Sequence, residues 1–121
     1  MIDRFDTWRY SENSNCWDYV AEYLRERKGI DLERFGIAPS DKRAMTKASA
    51  KFLPHFTEGY PVDGAIACQY SGNVLLHVGV VEGDTVRHTG KECGTMREKI
   101  RDFERRAITT KYMIHKSLCT I

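Results

Sequence analysis

The chain has 121 residues, of which 41% are hydrophobic and 30% are charged, and its formal net charge is +2. This length and composition predict one globular domain, residues 1–121, with a single hydrophobic core. The small net charge, with basic and acidic residues interleaved, argues against a nucleic-acid-binding surface. No apolar run reaches the ~18 residues of a membrane span, and no secretory signal precedes the domain. We therefore expect a protein made in the cytoplasm, with neither nucleic acid nor membrane as a partner.

Two helices are predicted in the first half of the chain. The first covers residues 16–28, because its apolar side chains recur at helical spacing, at Trp17, Val20, Ala21 and Leu24. Asn15 is a suitable N-cap, Asp18 can complete a capping box, and Gly29 is placed to end the helix. The second helix is expected from Ser40 to about Phe52, and residues 30–38 form a connector.

The second half is typical of an antiparallel sheet. Turns at 71–73 and 82–84 separate the first three of four predicted strands, residues 64–70, 74–81, 85–88 and 107–114. The nearly continuous apolar run at 74–81 indicates a central strand covered on both faces. A short helix is expected at 96–103. Helices followed by an antiparallel meander predict an α+β fold, with N-terminal helices packed on a sheet of about four to six strands.

The order Cys16, His77, His88 contains the parts of a thiol hydrolase: a nucleophile, a base, and a group that orients the base. Cys16 is the first residue of the predicted helix, where unpaired N–H groups and the helix dipole lower the pKa of a thiol. His77 interrupts an apolar strand, where an imidazole is costly unless it has partners. The sequence therefore predicts that these three side chains meet in a catalytic site.

The hairpin register decides whether the two histidines can interact. If Glu82 and Gly83 form a two-residue loop, Val81 pairs with Asp84, and counting back places His77 directly opposite His88 on one face. A three-residue loop would instead place the two rings on opposite faces.

Simpler roles compete with the catalytic interpretation. Cys16 alone could be a small buried hydrophobic residue, and His77 alone could be a satisfied core histidine. Four cysteines without a CxxC pair indicate free thiols in a protein of cytosolic origin. A zinc site from Cys68, His77, His88 and Cys93 is a further alternative, although its spacings match no short zinc motif.

The motifs together resemble the NlpC family, papain-like cysteine peptidases that cleave the peptide stems of bacterial cell walls. The resemblance runs from Trp8 to Ile114 and rests on Asn15-Cys16-Trp17, on residues 62–67, and above all on His-Val-Gly-Val-Val-Glu-Gly-Asp at 77–84 followed by His88. It implies a papain-like fold and a triad of nucleophile, base and polar third residue at Cys16, His77 and His88. The related CHAP amidases share the order of cysteine before histidine.

The resemblance also implies the remaining site residues and the partners. The hydroxyl of Tyr10 is the expected second donor to the oxyanion, with Trp8 as the alternative, and Trp8, Trp17 and Arg87 flank the triad as candidate substrate-binding residues. Neither a metal nor an organic cofactor is required. The expected substrate is a peptidoglycan stem peptide. A single domain of this kind resembles bacteriophage tail-tip peptidases, which implies phage tail proteins as partners and a location on the virion tail. Delivery to the wall as a secreted effector is the alternative route.

Two other functions remain compatible with the sequence. The chain could be a non-catalytic tail or assembly module that retains the fold and binds partners. It could also be a cytosolic thiol amidase or acyltransferase that acts on another amide or ester.

Overall fold

The computed structural model describes residues 2–32 and 41–119. Within these residues the chain has an α+β fold with three α-helices and an open six-stranded antiparallel sheet. The helices are α1 (Cys16–Lys28), α2 (Lys42–Ser49) and α3 (Ile100–Glu104). The strands are β1 (Phe56–Gly59), β2 (Ile66–Ser71), β3 (Val74–Glu82), β4 (Thr85–Gly90), β5 (Gly94–Lys99) and β6 (Thr109–His115), in the spatial order β1-β6-β2-β3-β4-β5. Short 3₁₀ helices cover Leu53–His55 and Lys116–Leu118.

Helix α1 has the boundaries that its capping residues predict. The Asn15 side chain accepts from the backbone N–H groups of Trp17 and Asp18, while the Asp18 carboxylate accepts from the Asn15 N–H, which completes a capping box. At the other end Gly29 adopts φ 67°, and its N–H bonds to the carbonyl of Arg25. This left-handed conformation costs glycine little, so the helix ends there.

Helix α2 is shorter than the sequence predicts. It ends at Ser49, and the chain continues through a turn and a 3₁₀ helix rather than as helix to Phe52. The predicted start at Ser40 and residues 33–38 of the predicted connector lie outside the described residues. Asp41 caps the helix by accepting from the Ala44 N–H.

The helices cover both faces of the sheet. On one face α1 and α2 pack on β2 and β3 through a large apolar core that includes Val20, Leu24, Met45, Val78 and Val80. On the other face α3 packs Phe103 against a smaller core with Ala67, Val81, Val86 and Tyr112. Strand β3 is therefore central and covered on both sides, as its apolar run predicts. Among the described residues, no helix is both long and apolar enough to cross a membrane.

A β-bulge in β3 changes the direction of side chains near its start. Gln69 pairs with His77, but the next residue of β2, Tyr70, pairs with Leu75, so Leu76 has no partner on β2. An extra residue of this kind interrupts the strict alternation of faces. As a result Leu75 and Val78 both face the large core under α1 and α2 (the helix-side core), whereas His77 packs against Phe103 on the opposite face.

The hairpin between β3 and β4 has a different register from the predicted one. The strands pair through Val80–Arg87, Val81–Val86 and Glu82–Thr85. The expected pairing of Val81 with Asp84 is therefore wrong, because the two loop residues are Gly83, at φ 61°, and Asp84. The slip is two residues, and a slip of two keeps side chains on the same face. His77 and His88 are consequently diagonal neighbours rather than directly opposite residues.

Two strands were not foreseen from the sequence. Residues 94–99 form β5 beside β4, and only residues 100–104 are helical, so the helix predicted at 96–103 is wrong over its first half. Strand β1 pairs with β6 at the opposite edge of the sheet. Both are edge strands, β1 mostly exposed and β5 mostly half-buried, and neither has the apolar alternation that reveals a strand in sequence.

Candidate active site

Cys16 occupies the first position of α1 and is 3% exposed. The capping box directs Asn15 to the N–H groups of Trp17 and Asp18. The N–H of Cys16 itself has no acceptor among the hydrogen bonds of the described residues, so it remains able to bind a substrate oxygen.

Cys16 lies in the wall of an open pocket. Its walls are formed by Tyr10, Cys16, Lys42, His77, Thr89, Gly90 and Lys91. A second open pocket on the far side of His77 is lined by Gln69, His77, His88, Gly90, Glu92, Cys93 and Arg106. His77 and Gly90 thus form the wall between two adjoining pockets, and the predicted nucleophile and base share the first of them.

The two predicted histidines are hydrogen-bonded to each other. His77 Nε2 lies 2.9 Å from His88 Nδ1, with the rings edge to face at a centroid separation of 5.0 Å. Both rings also pack against Phe103 of α3. The predicted contact between base and orienting residue is therefore present, although it runs diagonally across the hairpin.

Close approach at Gly79 makes this diagonal contact possible. A Cβ atom at Gly79 would lie 2.7 Å from Val86 Cγ1, 2.9 Å from the Arg87 carbonyl and 3.1 Å from His88 Cβ. These distances are shorter than a packed interior tolerates, so a Cβ atom here would require a backbone shift. The glycine thus lets β4 bring His88 close to β3.

A carboxylate behind His88 extends the chain of hydrogen bonds. His88 is 1% exposed, and its Nε2 lies 2.8 Å from Glu98 Oε1. Arg106 holds the same carboxylate with two hydrogen bonds, from Nε to Oε1 at 2.5 Å and from Nη2 to Oε2 at 3.1 Å. Burial alone would raise the pKa of Glu98, but the bonds from Arg106 and His88 outweigh burial and keep it below its ordinary value. Glu98 is therefore ionised at neutral pH.

The carboxylate determines which nitrogens of the two rings carry protons. An ionised Glu98 only accepts, so His88 must donate from Nε2 and leave Nδ1 as an acceptor. His77 then donates from Nε2 to His88, which leaves its own Nδ1 with a lone pair. A neutral imidazole in this form can accept a proton on the nitrogen that is not bonded to His88.

Burial keeps the thiol and both imidazoles uncharged. It lowers the pKa of His77 strongly, with His88 and Lys42 adding to the effect, and it lowers the pKa of His88 in spite of Glu98. Burial also raises the pKa of Cys16, although the N–H of Val78 and the ammonium of Lys42 act in the opposite direction. The expectation of a thiolate with a lowered pKa is thus wrong, because desolvation outweighs the helix terminus. A neutral thiol faces a pocket that also holds a neutral base.

Cys16 and His77 reach the pocket from opposite sides of the sheet. Cys16 belongs to the core under α1, whereas His77 packs toward Phe103 of α3. Among the described residues, no hydrogen bond joins the Cys16 sulfur to the His77 ring. In ligand-free enzymes catalytic hydrogen bonds are often open and close in the substrate complex; a proton transfer between Cys16 and His77 would require one of the two side chains to move.

Tyr10 is at the pocket, and Trp8 is not. Burial raises the pKa of Tyr10, with Cys16 and Glu12 adding smaller effects, so its hydroxyl keeps the proton that an oxyanion donor needs. Trp8 instead donates its indole N–H to the Ser14 carbonyl and packs against Phe5 and Tyr19. Of the two alternatives for the second donor, the geometry favours Tyr10.

The two other predicted substrate-binding residues also lie away from the pocket. Trp17 is buried beside Phe52 in the helix-side core, because it is the first residue of the apolar stripe of α1. Arg87 points to the face opposite His88 and forms ion pairs with Asp3, Asp6 and Glu82. It fastens the N-terminal segment to the sheet. Thr89, on the same face as Arg87, does line the pocket.

Three site residues were missed in the sequence: Lys42, Lys91 and Glu98. Lys42 donates from Nζ to the carbonyl of Leu76, the bulged residue, at 2.7 Å. Glu98 could have been found only with the β4–β5 pairing known, because that pairing places it diagonally across from His88. Lys42 lies at the start of a helix and Lys91 in a turn, and from sequence alone charged residues at such positions are interpreted as solvent-exposed.

The four cysteines are free, and Cys16 and Cys68 are buried whereas Cys93 and Cys119 are exposed. Cys68 belongs to the helix-side core, away from Cys93. Within residues 2–32 and 41–119, no cluster of three or more histidine, cysteine or acidic side chains is arranged to hold a metal ion. The alternative of a zinc site formed with Cys68 therefore lacks a ligand set.

The class of site is thus a buried thiol that shares a pocket with a hydrogen-bonded His–His–Glu chain. No family model matches this protein, and neither the characterised proteins nor the solved structures compared with it give a match. What the site does is therefore argued from its own geometry.

Proposed function

We propose that this protein is a cysteine hydrolase of amide bonds, with Cys16 as nucleophile, His77 as general base and acid, and His88 as the orienting residue. The observation that carries the proposal is the hydrogen-bonded series His77–His88–Glu98 ending at the pocket that Cys16 lines. A hydrogen-bonded histidine pair could be purely structural, but a structural role does not account for a cysteine at a helix N-terminus in the wall of the same open pocket.

The proposed reaction is acyl transfer in two steps. His77 Nδ1 takes the proton of the Cys16 thiol as the sulfur attacks the amide carbonyl carbon, and the N–H of Cys16 and the hydroxyl of Tyr10 hold the oxyanion. The C–N bond breaks, the amine leaves with the proton from His77, and a thioester remains on Cys16. His77 then removes a proton from water, which attacks the thioester and releases the carboxylic acid and the thiol.

Both resting groups are neutral, so this mechanism differs from one with a preformed thiolate–imidazolium pair. Burial disfavours each charged form separately, whereas Lys42, beside the thiol, favours the thiolate. Proton transfer is consequently coupled to attack, and Glu98 stabilises the positive charge that develops on the histidine pair.

For the substrate we propose the peptide stem of peptidoglycan, cleaved by a papain-like, NlpC-type domain. The support is the likeness of residues 77–88 to that family, together with a cysteine on a capped helix that packs against the sheet bearing both histidines. Transport to the wall on a bacteriophage tail tip belongs to the same proposal.

Digestion of purified peptidoglycan, followed by mass spectrometry of the released fragments, tests the proposed function. The wild-type protein should release peptide fragments, and Cys16→Ala should reduce the rate by about 10³-fold or more, as expected for loss of a nucleophile. Cys119→Ala is the matched control, because Cys119 is an exposed cysteine far along the chain from the site.

Three outcomes would contradict the proposal. Absence of fragments with the wild type removes the substrate, and undiminished release by Cys16→Ala removes the nucleophile. Loss of activity in Cys93→Ala with retention in Cys16→Ala would transfer the nucleophile to the second pocket, since Cys93 lies there beside the same histidine.

A further inference from the structure

The pocket in front of Cys16 has a positive character that the acyl-transfer mechanism does not require. Two of its wall residues, Lys42 and Lys91, are cationic, and none is acidic. Among the described residues, no carboxylate forms an ion pair with either lysine. Other basic side chains do have acidic partners, as Arg4, Arg27, Arg87 and Arg106 do.

Lys42 is held in place in a way that helix stability does not explain. It is the first residue of α2, directly after the N-cap Asp41, and a cation there opposes the helix dipole. The side chain is half-buried, and its Nζ is fixed by one hydrogen bond to the Leu76 carbonyl. An ammonium group has three donors, so two remain for a ligand in the pocket.

The effect of Lys42 reaches both reactive groups. Lys42 lines the same pocket as Cys16 and His77, and its charge favours the thiolate of Cys16 and disfavours the protonated form of His77. Two acidic residues act in the opposite direction: Asp18, whose carboxylate is engaged by the Asn15 N–H, acts on the Cys16 thiol, and Glu12 acts on the Tyr10 hydroxyl. Of these charges, the ammonium has the larger effect on the Cys16 thiol.

We propose that Lys42 and Lys91 form an anion-binding subsite beside Cys16, which selects peptide substrates that carry a free carboxylate next to the scissile amide. The inference rests on the proposed function for the reaction, but the subsite itself is a property of the pocket. The carboxylate accepts from the two remaining Lys42 donors, while Lys91 contributes from the opposite, exposed wall of the pocket.

A pair of alkylating reagents tests the subsite without any hydrolysis. Iodoacetate and iodoacetamide transfer nearly the same group to sulfur and expel the same iodide, but only iodoacetate is an anion. The measured quantity is the ratio of the two alkylation rates at Cys16, resolved by peptide mass spectrometry and divided by the same ratio for N-acetylcysteine. We expect the wild-type value to be raised about fivefold, the factor that one unit charge at ~4 Å gives in water.

Substitutions assign this effect to the named residues. Lys42→Gln should return the normalised ratio to about one, Lys42→Arg should preserve most of it, and Lys91→Gln should lower it by a smaller factor. Lys47→Gln is the matched control, because Lys47 is an exposed lysine on the same helix. A wild-type ratio equal to that of N-acetylcysteine, or a raised ratio that survives both glutamine substitutions, would overturn the subsite.

A substrate pair tests the selectivity. Peptidoglycan fragments with free side carboxylates should be cleaved with a KM about fivefold lower than the same fragments with those carboxylates amidated, and Lys42→Gln should remove the difference. Equal KM values in the wild type would contradict the selection. If neither fragment is cleaved while the alkylation ratio is raised, the proposed function fails and the anion subsite stands.

Discussion

Replacing Glu98 with glutamine perturbs the proposed catalytic chain at its far end, without touching the pocket. The carboxylate accepts from His88 and from two nitrogens of Arg106, and Oε1 is shared by both partners. A glutamine amide has one oxygen, so either His88 or Arg106 must face an –NH₂ donor. Where the –NH₂ group faces His88, that ring is driven to donate from Nδ1 toward His77.

The magnitude follows from the hydrogen bond that is lost. The His88–Glu98 contact is 2.8 Å long, and its partners are 1% and 11% exposed in their side chains. A hydrogen bond to an ionised group contributes about 1.5–3 kcal/mol. At ~1.4 kcal/mol per factor of ten, we expect Glu98→Gln to lower kcat by about 10- to 100-fold, with a smaller effect on KM.

Nitrogen-15 NMR of the histidine rings measures the cause directly, in a folded protein and without a substrate. In the wild type both His77 and His88 should carry their proton on Nε2 at neutral pH. In Glu98→Gln a population protonated on Nδ1 should appear at both rings. Glu58→Gln, the same substitution at an exposed position of β1, should leave the spectra and the rate unchanged.

Two results would refute this reasoning. A wild-type His77 protonated on Nδ1 would show that the ring cannot accept the thiol proton in the proposed way. A Glu98→Gln protein in which His77 and His88 both keep their proton on Nε2, and whose kcat stays within about twofold of the wild type, would show that the carboxylate only stabilises the fold.

Two further predictions concern stability. Gly79→Ala should destabilise the protein by about 1–3 kcal/mol in urea unfolding, because the new Cβ meets the Arg87 carbonyl. At Gly59 a new Cβ meets only the flexible tip of Ile114, so Gly59→Ala should lower the free energy of unfolding less. Equal losses would show that β3 and β4 are not in close contact at Gly79. Asp3→Asn should lower the Tm at neutral pH, because the bond from Arg27 holds the pKa of Asp3 at about 2, below its ordinary 3.8. A lowered pKa contributes stability above pH 3.8 that disappears as the pH falls toward 2, so the wild type and the variant should converge at that acid limit; a Tm difference that is the same at pH 2 and pH 7 would contradict this assignment.

Helix α1 and strands β2, β3 and β4 could be predicted because neighbouring residues in the sequence determine them. Helix α1 has its predicted boundaries because its caps are contained in the sequence itself, in Asn15, Asp18 and Gly29. The strands β2, β3 and β4 were predicted within two residues because apolar runs and turn residues mark them. The two edge strands carry no such pattern, since most of their side chains are exposed in β1 or half-buried in β5 rather than in the core.

The candidate site was predictable in its residue types but not in its geometry. Sequence order identified Cys16, His77 and His88, and a two-residue slip in register left the two histidines on one face because strands alternate with period two. The error in the thiol pKa has a different origin. A helix terminus can be read from a capping residue, whereas desolvation depends on what the rest of the chain packs above Cys16.

The pairing of β4 with its two neighbours explains how the site is assembled. On the β3 side, the observed register makes His88 a diagonal neighbour of His77, whose Nε2 lies 2.9 Å from His88 Nδ1. In the observed register His88 pairs with Met96, and Glu98, on the same face of β5, accepts from its Nε2. The bulge at Leu76 acts on β3, since it leaves His77 on the face opposite Leu75 and Val78 and frees a carbonyl that fixes Lys42. The bulge in β3 and the glycine at position 79 therefore bring together His77, the His88–Glu98 pair and Lys42 from four separate elements. This dependence on backbone geometry is why the residue order alone could not specify the site.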